Sequence, residues 1–481
     1  MKLLPEIGLT FDDVLLVPKY SSVHSRKAVD TSTQIVNGIR LAIPVISSNM
    51  DTVTEVKMAI SMAQAGAIGI LHRFMSVEDQ AEMVRRVKRS ESFVVEHPIT
   101  VSPSITVEEA RAKMVETKIG GLVVTDEEGH LLGMLTPRDV LFAPDPLESI
   151  STVMTTRDQL IAAAYGEPIS AARVTLHAHR IEKLPLVDND DRIVGLITAQ
   201  DIVKVQEHPH ATKDDKGRLR VGAAIGVRPQ DLDRAAALIE AEVDILVVDV
   251  AHGHLDLVIE MVKGLKTNFP DTGVIAGNVA SEPGVRDLVK AGADAVKVGV
   301  GSGSICITRQ VTGVGVPQLT AVVEATKASK EMGIPIIADG GIRNSGDITK
   351  ALAAGANAVM LGSLLAGTDE SPGAAVIRNG RRYKVVRGMA SLTANIARRE
   401  VEWQQKVDPE VWEEVIPEGV EAVVPHRGNV AEILHQLVGG LRSGMSYCGS
   451  STLEELQTNA EFIRITKAGR EESGVHDVSL L

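Results

Sequence analysis

Among 481 residues there are two cysteines, Cys306 and Cys448, so no framework of disulfides can brace the fold. No apolar run approaches the roughly 18 residues that a membrane span needs. Positive charge is also in deficit: 50 Lys and Arg stand against 63 Asp and Glu, a formal net charge of −13. That balance argues against a nucleic acid as the main partner, because phosphate backbones are held by clustered cations. Nucleotides as small ligands stay open. The opening Met1-Lys2-Leu3-Leu4-Pro5-Glu6 lacks the apolar core of a signal peptide, so a cytoplasmic protein without a membrane anchor is expected.

Short apolar runs, most with a Gly, Ser, Asn or Asp at or next to their end, recur instead, at 43–49, 67–72, 219–227, 243–250, 273–279, 293–300, 334–341 and 356–363. Between most of them lie stretches of helical periodicity, at 231–242, 255–268, 284–291, 319–332 and 345–354. Eight buried strands with helical crossovers are what a closed parallel (β/α)8 barrel, the TIM barrel, requires. The phrases Ala291-Gly292-Ala293-Asp294-Ala295-Val296 and Ala354-Gly355-Ala356-Asn357-Ala358-Val359 read as one helix-to-strand joint used twice. An open doubly wound sheet is the architectural alternative.

The rhythm breaks between about 93 and 204, and that interval carries a repeat of its own. Gly133-Met134-Leu135-Thr136-Pro137-Arg138-Asp139 in its first half is matched by Gly195-Leu196-Ile197-Thr198-Ala199-Gln200-Asp201 in its second. An insertion between two barrel strands is tolerated because the strand ends remain neighbours.

One position stands out chemically. Cys306 follows the apolar stretch Ala295-Val296-Lys297-Val298-Gly299-Val300 in the glycine-rich run Gly301-Ser302-Gly303-Ser304-Ile305-Cys306. A free cysteine is by default a small buried hydrophobe. A thiol in a glycine loop at the C-terminal end of a barrel strand is also where a nucleophile would stand.

Several stretches, in order, resemble the IMP dehydrogenase and GMP reductase family over essentially the whole chain. They are the opening 10–18, Ser48-Asn49-Met50-Asp51-Thr52-Val53-Thr54-Glu55, the cysteine loop through Arg309, 312–318, Ala338-Asp339-Gly340-Gly341-Ile342, Met360-Leu361-Gly362-Ser363 and Arg387-Gly388-Met389-Ala390-Ser391. The repeated insertion resembles a tandem CBS (Bateman) pair. Such pairs bind purine nucleotides in many proteins, with the Thr and Asp of the repeat reaching ribose or phosphate; the alternative is a purely structural module. The resemblance implies barrel segments at 1–92 and 207–481, a CBS pair at 93–206 (about 95–145 and 152–206) and a mobile flap at about 389–425.

The resemblance also implies roles. Cys306 would attack C2 of the purine of IMP, NAD would take the hydride, and the thioimidate would be hydrolysed to XMP. Thr308 and Glu418 match the family's pair beside the cysteine. Asp339 would accept from the ribose hydroxyls, and Ser304, Gly341, Gly362 and Ser363 would line the phosphate, with Ser48, Met50, Gly340, Gly388, Met389 and Ala390 completing the substrate site. Asp249, His252, Asn278, Gly299 and Gly301 would lie on the NAD side. Carbonyls of Gly301, Gly303 and Cys306, with Glu472, Ser473 and Gly474 of a neighbouring subunit, would hold potassium in a homotetramer, which could pair into octamers.

The flap departs from the family. Counted without gaps from Met389, the Arg-Tyr pair that activates water in the dehydrogenases falls on Glu402 and Trp403, and the tyrosine before Arg-Gly-Met is Val386. Arg398 or Arg399 could substitute after a shift of register. A GMP reductase, which needs no hydrolytic arginine, is therefore the alternative activity, and a nucleotide-responsive regulator without turnover is the non-enzymatic one. The insertion, the run Ala251-His252-Gly253-His254 and the length of the flap favour the dehydrogenase.

Overall fold

Strands rich in Val, Ile and Ala on both faces must be covered on both sides, and a barrel ringed by helices does this without leaving an edge. The computed structural model describes residues 7–91, 94–96, 98–117, 119–200, 202–203, 208–403 and 415–475, without the side chains of Ile169, Glu402 and Trp403. It closes eight parallel strands into one barrel. These are β1 (Val45–Ser47), β2 (Ile68–Leu71), β3 (Gly222–Ile225), β4 (Ile245–Asp249), β5 (Gly273–Val279), β6 (Ala295–Val298), β7 (Ile336–Asp339) and β8 (Ala358–Leu361). Each falls inside one of the eight apolar runs, and the open-sheet alternative is excluded by the pairing of β8 with β1 (Met360 opposite Ile46).

The helical cover consists of α1 (Val56–Gln64), α2 (Val77–Ser90), α3 (Asp231–Glu240), α4 (Asp256–Asn268), α5 (Glu282–Lys290), α6 (Gln318–Met332), α7 (Ser345–Ala353) and α8 (Val430–Tyr447). Helix α5 starts two residues before its periodicity suggests. Ser281 accepts from the Gly284 N–H as N-cap, and Pro283 fits the first turn, where no backbone donor is needed.

Strand parity decides what fills the barrel. Ile245, Val247, Ala295 and Ile337 share one interior cluster with Ile46, Ile70, Ala224, Ile275, Ala358 and Met360. The hairpin Thr33–Val36 with Ile39–Leu41 adds Ile35, Val36, Ile39 and Leu41 to that cluster. Continuing the two-residue period along β4, β6 and β7 brings Asp249, Lys297 and Asp339 to the same interior at its C-terminal end. The barrel thus has an apolar body and a charged top layer.

The opening motif has a structural job. Phe11 is buried, and Asp12 receives Arg343 (2.7 Å) and Arg470 (2.7 Å); the Arg343 hydrogen bonds hold its carboxyl below the ordinary range. After β8, strands Ala375–Arg378, Arg381–Arg387 and Glu421–Pro425 form an antiparallel sheet, with helix Leu392–Trp403 between the last two.

Residues 1–90, 210–213 and 219–481 form one compact unit, and 91–209 with 214–218 form the other. The second unit repeats a strand, a helix and an antiparallel hairpin. In its first half Thr100–Val101 runs parallel to Leu122–Thr125, which pairs with Leu131–Leu135; in its second Ala163–Ala164 runs parallel to Lys183–Val187, which pairs with Ile193–Thr198. Helices Val107–Thr117 and Ile169–His179 make the crossovers, over separate apolar cores. The repeated Thr and Asp act locally in the first half: Asp139 accepts from the Thr136 hydroxyl (2.6 Å) and N–H (2.7 Å), capping helix Pro137–Phe142. Asp201 of the second copy lies outside the described residues. No helix among the described residues is long and apolar enough to cross a membrane.

Candidate active site

β6 ends at Val298, and the next residues turn sharply. Gly299 has φ +149°, and a Cβ there would stand 2.0 Å from the Asp339 carbonyl, so the chain passes β7 at a distance only glycine allows. Ser302 Oγ donates to the same carbonyl (3.0 Å), pinning the loop that presents Cys306. The thiol is half-buried, 3.2 Å from Thr308 Oγ1, and Thr308 donates to Glu418 Oε2 at 2.8 Å. With the Thr308 hydrogen committed to Glu418, the thiol is the donor in the first contact. The three side chains form a hydrogen-bonded path along which a proton can pass from sulfur to carboxylate.

Glu418 is 110 residues from Thr308 and is placed by backbone. Val420 N–H donates to the Ile305 carbonyl (3.0 Å), Ile307 N–H to the Glu418 carbonyl (2.8 Å) and Gly388 N–H to the Val420 carbonyl (3.0 Å). Gly388 and Gly419 let these segments touch, since a Cβ on Gly388 would lie 3.2 Å from both the Gly419 Cα and the Ile305 carbonyl. Ala390 takes part through its carbonyl, which accepts from the Glu418 N–H (3.0 Å).

Beneath the loop lies the charged top layer. Lys297, 2 % exposed, places Nζ 2.6 Å from Asp249 Oδ1 and 2.7 Å from Asp339 Oδ2, and also donates to Asn278 Oδ1. Asn278 returns its amide to Asp339 Oδ2 (2.9 Å) and the Gly299 carbonyl (2.8 Å), and Asn49 donates to Asp249 Oδ2 (2.8 Å). Burial opposes charge on both partners of the Lys297–Asp249 pair, but their attraction outweighs it: the lysine pKa is raised and the Asp249 pKa lowered. Both contacts to Asp339 fall on Oδ2, so Oδ1 carries neither.

The remaining expected residues fall into groups. Ser48, Met50 and Gly362 come together where β1 adjoins β8: a Cβ on Gly362 would lie 3.1 Å from Met50 Sδ and 3.2 Å from Ser48 Oγ, a buried hydroxyl without a hydrogen-bond partner among the described residues. Ser363 opens the short helix after β8. Gly340 and Gly341 have φ +90° and +77°, and Gly340 packs on Ser302 where a Cβ would meet its hydroxyl at 2.4 Å. Ser304 and His252 are exposed, the latter edge-on to His254. Gly303 accepts from the Cys306 N–H (3.2 Å), while the tight turn at Gly301 (φ +70°) packs on Arg309. Glu472 ends helix Lys467–Glu472, and Ser473 bonds back to Gly469 (2.8 Å). Gly474 donates to the Glu471 carbonyl (3.1 Å).

Arg398 donates to Asn395 Oδ1 (3.0 Å) within helix Leu392–Trp403, and Arg399 follows it half-buried. The side chains of Glu402 and Trp403 lie outside the described residues. Val386 is fully buried and pairs with Ala422, so it serves the sheet rather than a ligand.

Two residues escaped the sequence reading. Lys297 is the one cation inside a barrel strand that is otherwise apolar, and that isolation was its signal. Arg387 donates to Asp51 Oδ2 (2.7 Å) and Thr393 Oγ1 (3.1 Å), tying the loop after β1 to the flap, and nothing local in the sequence points to that pairing.

The comparisons agree with this geometry. An IMP dehydrogenase / GMP reductase domain matches residues 8–476. The chain is 52% identical over 474 residues to inosine-5'-monophosphate dehydrogenase of Nitrosopumilus maritimus, covering 98% of this chain and 99% of that one. It is 49% identical over 488 residues to the GMP reductase of Leishmania major, covering 99% and 98%. Among solved structures, GMP reductase from Trypanosoma brucei in complex with guanosine 5'-monophosphate superposes with a TM-score of 0.87 at 44% identity, covering 98% of both chains. Fold, thiol loop and full-length likeness lead to one conclusion: the chain belongs to the IMP dehydrogenase and GMP reductase family.

Proposed function

We propose that this protein is an NAD-dependent IMP dehydrogenase in guanine nucleotide synthesis. The observation that carries the chemistry is the chain Cys306–Thr308–Glu418, 3.2 Å and then 2.8 Å long. The thiol proton passes through Thr308 to Glu418, and the thiolate adds to C2 of the purine. The C2 hydride leaves with its electron pair for the nicotinamide ring, giving NADH and a Cys306 thioimidate. Water adds at C2, the C–S bond breaks, and XMP and one proton are released. The oxidative direction rests on the likeness to the dehydrogenases of N. maritimus and, at 53% identity over 474 residues, Aquifex aeolicus.

The donor sets suit the ligands. The acceptors Asp339 and Asp249 suit ribose hydroxyls of IMP and of NAD, with His252, Asn278, Gly299 and Gly301 beside the latter. Ser304, Gly341, Gly362 and Ser363, near Ser48, Met50, Gly340, Gly388, Met389 and Ala390, suit the nucleotide phosphate and base. Backbone carbonyls of Gly301, Gly303 and Cys306 are hard, neutral donors suited to potassium, completed by Glu472, Ser473 and Gly474 of a neighbouring copy. That sharing implies a homotetramer. The inserted unit is read as a CBS pair for purine nucleotides, and the working compartment as the cytoplasm.

A second reading, GMP reductase, is favoured by one observation: Glu402 and Trp403 occupy the counted positions of the water-activating pair. Chromatography of products separates the two. The dehydrogenase makes XMP and NADH in equal amounts from IMP and NAD; conversion of GMP and NADPH to IMP and ammonia, with no XMP, would replace it.

A further inference from the structure

An ammonium has three N–H donors, and at Lys297 all three are aimed at named acceptors: Asp249 Oδ1, Asp339 Oδ2 and Asn278 Oδ1. Two carboxylates therefore share one buried cation. Asn278 links Lys297 to Asp339 a second time, donating to Asp339 while accepting from Lys297, and Asn49 occupies the other oxygen of Asp249. Asp249 ends β4 and Asp339 ends β7, on opposite flanks of β5 and β6. Under the proposed function these carboxylates serve different ligands, the dinucleotide ribose and the substrate ribose.

We infer that Lys297 is a positioning residue that couples the two sugar subsites through its shared ion pairs. The trio of Lys297, Asp249 and Asp339 carries one net negative charge. Anything that removes the claim of one carboxylate leaves the ammonium to the other, which then becomes a poorer acceptor for a sugar hydroxyl. The strand ends cannot drift to compensate, because Gly299 is wedged against the Asp339 carbonyl and Gln318 Nε2 donates to that carbonyl (3.0 Å) and to that of Val298 (2.9 Å).

This inference rests on the subsite assignment above, and the test keeps the two apart. The affinity of the whole protein for IMP is compared with that for 2'-deoxy-IMP by calorimetry; their ratio isolates the hydroxyl held by Asp339. In the wild type the ribonucleotide binds about tenfold or more tightly, as a hydrogen bond to a charged acceptor commands. Asp249→Asn, in the other subsite, lowers that ratio severalfold when Lys297 is present and leaves it unchanged in a Lys297→Gln background, while Lys297→Arg keeps part of the coupling. A merely structural lysine would move thermal stability and not this ratio. An unchanged ratio in Asp249→Asn overturns the coupling while leaving the subsites standing. A wild type that fails to prefer the ribonucleotide overturns the subsite assignment and the coupling with it.

Discussion

The strand ends beneath Cys306 and the flap beside it are held in opposite ways. At the strand ends, Asp249, Asn278, Lys297 and Asp339 hold one another through buried charge-assisted hydrogen bonds on paired β-strands. On the flap, Glu418 is fixed through backbone bonds of Ile307 and Val420 to the cysteine loop, and Arg398 donates to Asn395 one turn back along its own helix. Under the proposed function, hydride transfer draws on the ribose acceptors at the strand ends, while addition of the thiol also uses Glu418 of the flap. On the same reading, the fate of the adduct after hydride transfer is set by the flap, where Glu402 and Trp403 stand at the counted positions of the Arg-Tyr pair.

The largest effect is expected at the thiol. Cys306→Ala should lower turnover on the order of 10⁴-fold or more, with the thermal unfolding midpoint within a degree or two of wild type. Retained turnover would remove the covalent route. Glu418→Gln keeps the backbone clamp but deletes the proton acceptor, so adduct formation should slow about 10²-fold by rapid-quench mass spectrometry, with the deficit shrinking as pH rises and hydroxide takes over. An equal deficit at all pH values would mean that Glu418 only positions Thr308.

On the flap, Arg398→Ala and Arg399→Ala should slow hydrolysis of the adduct by roughly tenfold while leaving the first hydride transfer unchanged. Equal loss in both steps would reject either as the water activator. The rigid part has a pH signature as well. The pKa of Asp249 is lowered in the fold, so its contribution to stability is full above the ordinary carboxylate value and is lost as pH falls through that range. Urea midpoints between pH 7 and 3 should therefore fall more steeply for wild type than for Asp249→Asn. The smallest effect belongs to the inserted unit: Thr136→Val deletes the hydroxyl bond to Asp139 at the start of helix Pro137–Phe142 while keeping the backbone one, and should cost about 1 kcal/mol or less locally, with no change in the rate of adduct formation at Cys306.

The barrel was legible because each strand is a short apolar run closed by a turn residue, and Met360 opposite Ile46 merely completes a ring that eight such runs imply. Cys306 was legible from its glycine loop at a strand end, but Thr308 and Glu418 only through family resemblance, since 110 residues separate them and no local pattern joins them. Lys297 was written in the sequence as a charge among Ala295, Val296 and Val298, yet its meaning needs the strand parity that turns it, Asp249 and Asp339 inward together. The motif Thr136 to Asp139 carries a local role that its resemblance to a ligand-binding repeat does not announce. Asp139 accepts there from the Thr136 hydroxyl and N–H at the start of its own helix.

The direction of the chemistry is read from the absorbance of the nicotinamide at 340 nm, with purified protein and potassium, IMP and NAD in one cuvette and GMP and NADPH in the other. Absorbance rising with IMP, and failing to rise in Cys306→Ala, is the expected result. Absorbance that stays flat with IMP and falls with GMP as ammonia appears would contradict it, and would make Glu402 and Trp403 the mark of a reductase built on the same thiol loop.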